Sequence, residues 1–221
     1  MTFIKITTTD PIAKYIATTI QKNLSAGKNV LWLVPGGSSI AIATEVSKLL
    51  ADTDLTNLSM TLTDERYGEI GHPNSNWQQL ADAGFGLPGA LTVPVLTGED
   101  RKITTVEYTH NLQELLNNAD FSLGFFGIGD DGHTAGILPH SPAVSSVDLS
   151  ASYDAGNFER VTITFKTICL LNEAVVYAAG QPKWPILDQL GTDIDLDNQP
   201  AQILKKVPKL TIFNDHKGDD V

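Results

Sequence analysis

The chain has 221 residues, and 42% of them are hydrophobic, which is enough apolar sequence for a sizeable core and more than a disordered chain contains. Its 26 acidic residues outnumber 15 Lys and Arg, and the net charge of -11 repels nucleic acids and anionic membrane surfaces. The length suits one large α/β domain or two small ones, and we expect a single domain over residues 1–221 that ends in a polar tail, 215–221.

Cysteine and histidine usage argues against metal and disulfide chemistry. The single cysteine, Cys169, excludes an internal disulfide framework, and its apolar neighbours predict a small core side chain. Five dispersed histidines without a His-x-x-x-His pair predict no metal site. No apolar run approaches the ~20 residues of a membrane span, and the first six residues turn polar too soon for a signal peptide, so we expect a cytoplasmic protein.

Apolar runs of strand length alternate with segments of helix length along the chain. In chain order we predict an edge strand at 3–6, a helix that Asp10 caps and Gly27 ends, a buried strand at 30–34, a helix at 38–50, strands at 58–62 and 121–126 separated by helices at 76–81 and 103–116, strands at 161–165 and 174–179, a helix at 182–190 and a last strand at 210–213. Alternation of this kind predicts an α/β fold: a doubly wound, mostly parallel sheet flanked by helices, Rossmann-like and three-layered. Ligands bind beyond the carboxyl ends of such strands, so the turns after strands are the candidate sites.

The first of these turns is Pro35-Gly36-Gly37-Ser38-Ser39. Two glycines allow close approach of the backbone, and a helix N-terminus offers unpaired N–H groups, so the turn suits a phosphate. A tight turn with an ordinary serine cap explains the same residues equally well. The segment lacks the Gly-Lys-Ser/Thr of a Walker loop and the Gly-x-Ser-x-Gly of a hydrolase elbow.

The second turn places the charged residues Asp64, Glu65 and Arg66 directly after a strand, and Ser75 or Asn76 then caps the next helix. A solvated loop is the ordinary explanation of such a charge cluster. Its position at the carboxyl end of a strand favours a site.

The third turn, Gly127 to Thr134, matches the Gly-x-Gly-x-x-Gly fingerprint of dinucleotide-binding proteins. Two aspartates, Asp130 and Asp131, lie where a pyrophosphate would have to bind, and the motif is not in the first βα turn. We therefore predict no NAD or FAD. We instead expect His133 at a helix start, where the helix dipole and a neighbouring carboxylate together leave an imidazole that accepts a proton near neutral pH.

With these three turns the sequence resembles the 6-phosphogluconolactonase family over most of its length. The segments that carry the resemblance are Pro35-Gly36-Gly37-Ser38, Asp64-Glu65-Arg66-Tyr67 with Pro73-Asn74-Ser75-Asn76, Gly129-Asp130-Asp131-Gly132-His133-Thr134-Ala135, Arg160-Val161-Thr162, Gly180-Gln181-Pro182-Lys183 and Pro200-Ala201. One departure is Gly136-Ile137-Leu138-Pro139, where the family usually has Ser-Leu-Phe-Pro.

The resemblance implies hydrolysis of 6-phospho-D-glucono-1,5-lactone to 6-phosphogluconate, a step of the oxidative pentose phosphate pathway, without a cofactor. The expected catalytic residues are His133 as base, Asp64 to orient His133 or the water, and Arg66 to face the oxyanion. The expected substrate-binding residues are Gly36, Gly37, Ser38, Asp131, Gly132, Arg160 and Lys183.

Two other functions are compatible with the same sequence features. Glucosamine-6-phosphate deaminases share the fold, but they typically read Asp-Glu-Tyr at the second turn and carry a glutamate five residues after the motif histidine, where this chain has Leu138. A non-catalytic sugar-phosphate sensor would bind the sugar acid without turnover. The sequence is compatible with a monomer or a homodimer.

Overall fold

A computed structural model describes residues 1–220, and its central element is a sheet whose strands pair in parallel. The strands of this sheet are β1 (Thr2–Lys5), β2 (Val30–Val34), β3 (Leu58–Leu62), β5 (Leu91–Thr92), β6 (Phe121–Gly127), β9 (Glu173–Ala178), β10 (Lys209–Asn214) and β11 (Asp219–Asp220). They follow the order β11-β1-β10-β9-β6-β2-β3-β5 across the sheet. The helices are α1 (Asp10–Ser25), α2 (Ile40–Leu49), α3 (Asn76–Asp82), α4 (Arg101–Asn118), α5 (Phe165–Cys169) and α6 (Trp184–Gln189).

The core forms where the sequence is continuously apolar or periodic. All five residues of β2 are buried, because β2 lies between β3 and β6 in a sheet with helices on both faces. On α1 the buried side chains include Ile12, Ile16 and Ile20, which repeat at helical spacing. The predicted three-layer α/β fold is thereby confirmed. Within residues 1–220, none of the helices combines the length and the apolarity that crossing a membrane requires.

A second sheet, which was not expected from the sequence, has three antiparallel strands. Its order is β4 (Asp64–Arg66), β8 (Glu159–Ile163) and β7 (Ser150–Asp154). Only Thr63 separates β4 from β3, so the chain passes from one sheet to the other within a residue. The predicted strand at 161–165 therefore belongs to this small sheet and not to the large one.

The two termini meet at one edge of the large sheet. Asp219 pairs with Ile4 and Asp220 with Lys5, so β1 is not the edge strand that was predicted. The expected polar tail is thus partly strand, and Val221, its last residue, lies outside the described residues.

Three local expectations are corrected by the structure. Thr9, and not Asp10, is the N-cap of α1, which places Asp10 in the first turn of the helix. The helix predicted from Ser38 begins as a 3₁₀ turn, Gly37–Ser39, before α2. Cys169 is exposed, because it is the last residue of the short α5 and not part of the core.

The topology places a crevice at the carboxyl end of the sheet. The chain leaves β2 toward β3 on one side, and it leaves β6 toward β9 on the other side. Such a reversal of strand order opens the loops after β2 and β6 away from each other, which is where open α/β sheets bind ligands.

Candidate active site

A cleft of about 500 Å³ lies at the carboxyl end of the large sheet, and loops after β2, β3, β6 and β9 contribute to it. Its lining residues are Pro35, Gly36, Gly37, Ser38, Ser39, Asp64, Arg66, Asn76, Gly127, Ile128, Gly129, Asp130, His133, Ala135, Arg160, Ala179, Pro182 and Lys183. Most of the expected site residues are therefore together in one cleft. The two exceptions are Asp131 and Gly132, which are not among the lining residues.

The loop after β2 forms one wall of the cleft. A Cβ on Gly36 would lie 2.0 Å from Oδ1 of Asn76, so only glycine allows Asn76 to pack here. The Asn76 amide in turn donates to the backbone oxygen of Asp64 at 2.9 Å, which ties the first turn to the second. No side-chain cap bond forms at the 3₁₀ turn or at α2, so the serine-cap explanation of this loop is wrong.

The second turn presents two guanidinium groups side by side. In the antiparallel register of β4 and β8, Arg66 lies opposite Arg160, and Asp64 lies opposite Thr162. Asp64, Arg66 and Arg160 line the cleft. Asp64 Oδ2 lies 3.5 Å from Arg160 Nη1, with both side chains largely buried. Arg66 donates from Nη1 to the backbone oxygen of Asn74 at 3.0 Å, and its guanidinium lies 5.3 Å from the centre of the Phe158 ring.

Between these residues Glu65 is fully buried on the opposite face of β4. Its carboxylate accepts four hydrogen bonds, from the backbone N–H groups of Arg66, Asn76 and Trp77 and from the Ser75 hydroxyl. Burial raises the pKa of this carboxyl, and the four donors oppose that rise. Glu65 therefore anchors the first turn of α3 to β4 and fixes both Arg66 and Asn76, which line the cleft.

The third turn holds an imidazole in one orientation. Nδ1 of His133 lies 2.6 Å from Oδ1 of Asp131, and the same oxygen accepts the backbone N–H of His133 at 3.0 Å. The hydrogen bond with His133 lowers the pKa of Asp131. Because an ionised carboxylate only accepts, the Nδ1 atom carries the proton and the lone pair of Nε2 is left for other chemistry. We expected Asp64 to orient His133 or the water; the carboxylate that contacts the imidazole is that of Asp131.

The contact between His133 and Asp131 leaves room only for glycine at position 129. A Cβ there would lie 2.1 Å from Nδ1 of His133 and 2.6 Å from Oδ1 of Asp131. Gly132 packs against another part of the chain: its oxygen accepts the backbone N–H of Ala201 at 2.9 Å, and a Cβ at this position would lie 2.7 Å from Cγ of Gln199. Asp131 thus contacts the imidazole, and neither Asp131 nor Gly132, both expected to bind substrate, is among the residues that line the cleft.

No helix begins at His133, contrary to the expectation from the sequence. Thr134 instead forms bridges with Ile128 and Ile137, so the chain turns back on itself after β6. The helix-dipole effect on His133 is therefore absent. A dinucleotide fingerprint needs a helix N-terminus behind the glycines, and this turn has none.

The loop after β9 brings Lys183 into the cleft. Burial of its side chain lowers the pKa of Lys183, and the negative charges of Asp130 and Asp215 oppose that shift. The lining also includes residues that were not expected in the site, among them Asp130, which the sequence presented only as an obstacle to pyrophosphate, and Asn76, which it presented only as a cap. Among residues 1–220, no three His, Cys, Asp or Glu side chains are grouped so that they could hold a metal ion.

Comparison with known proteins agrees with this architecture. A 6-phosphogluconolactonase of Synechocystis sp. is 29% identical over 171 residues, which cover 71% of this chain and 70% of the relative. The crystal structure of 6-phosphogluconolactonase from Thermotoga maritima has a TM-score of 0.84 at 20% identity and covers 97% of this chain and 99% of that chain. A monomeric glucosamine-6-phosphate deaminase has a TM-score of 0.79 at 17% identity, covering 97% of each chain, so the fold alone does not separate the two activities.

The family model described as glucosamine-6-phosphate isomerases/6-phosphogluconolactonase matches residues 6–212. That match spans the large sheet from the end of β1 into β10, with the cleft and each of its loops. This chain therefore belongs to the glucosamine-6-phosphate isomerase/6-phosphogluconolactonase family.

Proposed function

We propose that this protein hydrolyses 6-phospho-D-glucono-1,5-lactone to 6-phosphogluconate. The observation that carries the proposal is the His133–Asp131 pair in a cleft that also presents Arg66, Arg160 and Lys183. A base with a free Nε2 suits attack by water on an ester. Three cations in a strongly acidic protein suit a substrate that bears a phosphate and develops an oxyanion.

The phosphate is assigned to the loop of Gly36, Gly37 and Ser38, with Lys183 and Arg160 closing over it. Backbone N–H groups at the start of a helical turn favour an anion, Lys183 supplies a point charge, and Arg160 supplies a planar pair of donors. Three contacts support placing these groups together: Gly36 packs against Asn76, Asn76 donates to the backbone of Asp64, and Asp64 contacts Arg160. We assign Asp64 to hold Arg160 in place.

The reaction begins with water at the lactone carbonyl. Nε2 of His133 accepts a proton as the water oxygen bonds to C1, and the carbonyl electrons move to the oxygen, which Arg66 faces. The C1–O5 bond then breaks, the imidazolium returns its proton to O5, and the product is an open-chain acid that ionises in water. Asp131 stabilises the imidazolium between these two proton transfers.

This function is tested by following ring opening of the lactone against a blank for spontaneous hydrolysis. We expect enzyme-dependent opening well above the blank, and no ammonia from glucosamine 6-phosphate. Ammonia release without lactone opening would indicate a deaminase. Binding of 6-phosphogluconate without turnover of either compound would indicate a sensor.

Lys183→Ala is expected to raise KM by about 10- to 100-fold, because it removes a charge-assisted hydrogen bond to a part of the substrate remote from the reaction. The effect on kcat is expected to be small. Steady-state kinetics of lactone opening measure both constants, and Lys166→Ala, a change at an exposed lysine of α5, is the control. A fall in kcat at unchanged KM would contradict the phosphate role.

The affinity for 6-phosphogluconate is expected to weaken as the pH rises. The loss should begin at a lower pH than it would if Lys183 had the pKa of an ordinary lysine. Burial lowers the pKa of Lys183, so its ammonium deprotonates below the usual pH range. Calorimetric titration with 6-phosphogluconate from neutral to alkaline pH measures this effect. In Lys183→Arg the guanidinium stays charged, so its curve should remain flat. Parallel curves for the two proteins would refute the prediction.

A further inference from the structure

Asp215, in the segment expected to be a polar tail, holds both ends of the loop that carries Lys183. Asp215 directly follows β10, and the loop 180–184 follows β9. Because these two strands pair in parallel, Asp215 and the loop lie together at the carboxyl end of the sheet. Its Oδ2 accepts the backbone N–H of Gly180 at 3.0 Å, and its Oδ1 accepts the indole N–H of Trp184 at 2.9 Å. One carboxylate thus joins the residues on either side of the loop.

The segment that carries this carboxylate makes further contacts of its own. The ring of His216 stacks on Trp184 with 4.7 Å between centroids and 12° between planes. The side-chain oxygen of Asn214 accepts the backbone N–H groups of His216 and Lys217 at 2.9 and 2.7 Å. The segment 214–217 is therefore a fixed support beside the loop.

Lys183 needs such support because a lysine side chain loses much rotamer freedom when it is ordered, and because burial disfavours its charge. The backbone N–H of Lys183 bonds to the oxygen of Gly180, so the loop that Asp215 holds at Gly180 also sets the base of the lysine. The negative charge of Asp215 acts on the ammonium as well.

We propose that Asp215 is a positioning residue that holds Lys183 in its phosphate-binding place, an inference that rests on the proposed function. Its contribution belongs to ligand affinity and not to turnover. The mechanism assigns no proton transfer to Asp215, and the carboxylate is engaged with Gly180 and Trp184.

The test is Asp215→Asn, which keeps the size of the side chain but removes its charge and one of its two acceptors. We expect KM for the lactone and Kd for 6-phosphogluconate each to rise roughly three- to tenfold, with kcat within about twofold of wild type. Trp184→Phe, which removes only the indole donor, should shift both constants in the same direction by less. Asp188→Asn is the matched control, because Asp188 contacts His216 and Lys217 but not the loop.

A double-mutant cycle separates positioning from a general structural effect. In a Lys183→Ala background, Asp215→Asn should change neither KM nor Kd further, because the group that it positions is gone. Full additivity of the two changes, or a loss of kcat at constant KM, would overturn the inference. Wild-type turnover is measured first, so absence of turnover counts against the proposed function alone, and the Kd for 6-phosphogluconate still tests Asp215.

Discussion

His133→Asn is expected to lower kcat for lactone opening by about 10²–10⁴, with a much smaller change in KM. Asparagine remains polar but cannot take a proton from water at neutral pH. In the structure Nδ1 of His133 is committed to Asp131, so the base function depends on Nε2 alone. Initial rates at saturating lactone, corrected for spontaneous opening, measure the loss.

A second histidine of the same chain provides a matched control. His140 also pairs with a carboxylate through Nδ1, at 2.7 Å from Oδ2 of Asp197, but it is not part of the cleft. Its φ of 59° is a backbone conformation that asparagine tolerates well. His140→Asn should therefore keep wild-type kcat, and equal losses in the two variants would show that His133 is not the base.

Glu65→Gln is expected to lower the free energy of unfolding by about 3 kcal/mol or more. Four donors converge on the two carboxylate oxygens, and glutamine replaces one oxygen with an NH₂ group that would face N–H and O–H donors. At least one buried backbone N–H is then left without an acceptor. Urea denaturation monitored by tryptophan fluorescence and circular dichroism measures the loss.

Glu69→Gln is the control for this stability effect, because Glu69 is exposed a few residues along the same chain segment. Its effect should stay within about 0.5 kcal/mol, as is usual for surface changes. If Glu65→Gln cost less than about 1 kcal/mol, the carboxylate would not be the anchor of α3. Since Arg66 and Asn76 depend on that anchor, we also expect Glu65→Gln to reduce lactone hydrolysis where the variant is still folded.

The large sheet was predictable because its strands have a local signature. Runs such as 30–34 and 58–62 are apolar throughout and lie between helical periods, and the structure places strands there with the same bounds. The small sheet has a weaker signature, since only its strand β8 overlaps a predicted strand, 161–165. Its strands are short and mixed in polarity, and their pairing joins residues that lie about a hundred positions apart, such as Asp64 and Thr162.

The candidate site was likewise predictable where it depends on local sequence, and not where it depends on contacts within the folded chain. Turns after strands could be listed from the sequence, and the cleft contains Gly36, Asp64, His133 and Lys183 as expected. The partner of His133 was not found from the sequence: we expected Asp64 to orient His133 or the water, and the fold of the turn places Asp131 beside Nδ1 instead. The expected helix at His133 failed because Thr134 bridges back to Ile128.

Asp215 illustrates what sequence patterns miss altogether. A short polar segment at the end of a chain has no periodicity and no motif, so it was interpreted as a tail. The role that we propose for Asp215 depends on the parallel pairing of β10 with β9, which brings it beside the loop of Lys183.

A crystal structure of the protein with 6-phosphogluconate bound tests the central claim most directly, since that claim is the meeting of several turns around one ligand. We predict the phosphate within hydrogen-bond distance of the Gly37–Ser38 backbone and Lys183 Nζ, and the C1 carboxylate beside Nε2 of His133 and the guanidinium of Arg66. A ligand bound outside the cleft, or one whose C1 lies far from His133 while the phosphate occupies the cleft, would contradict the account.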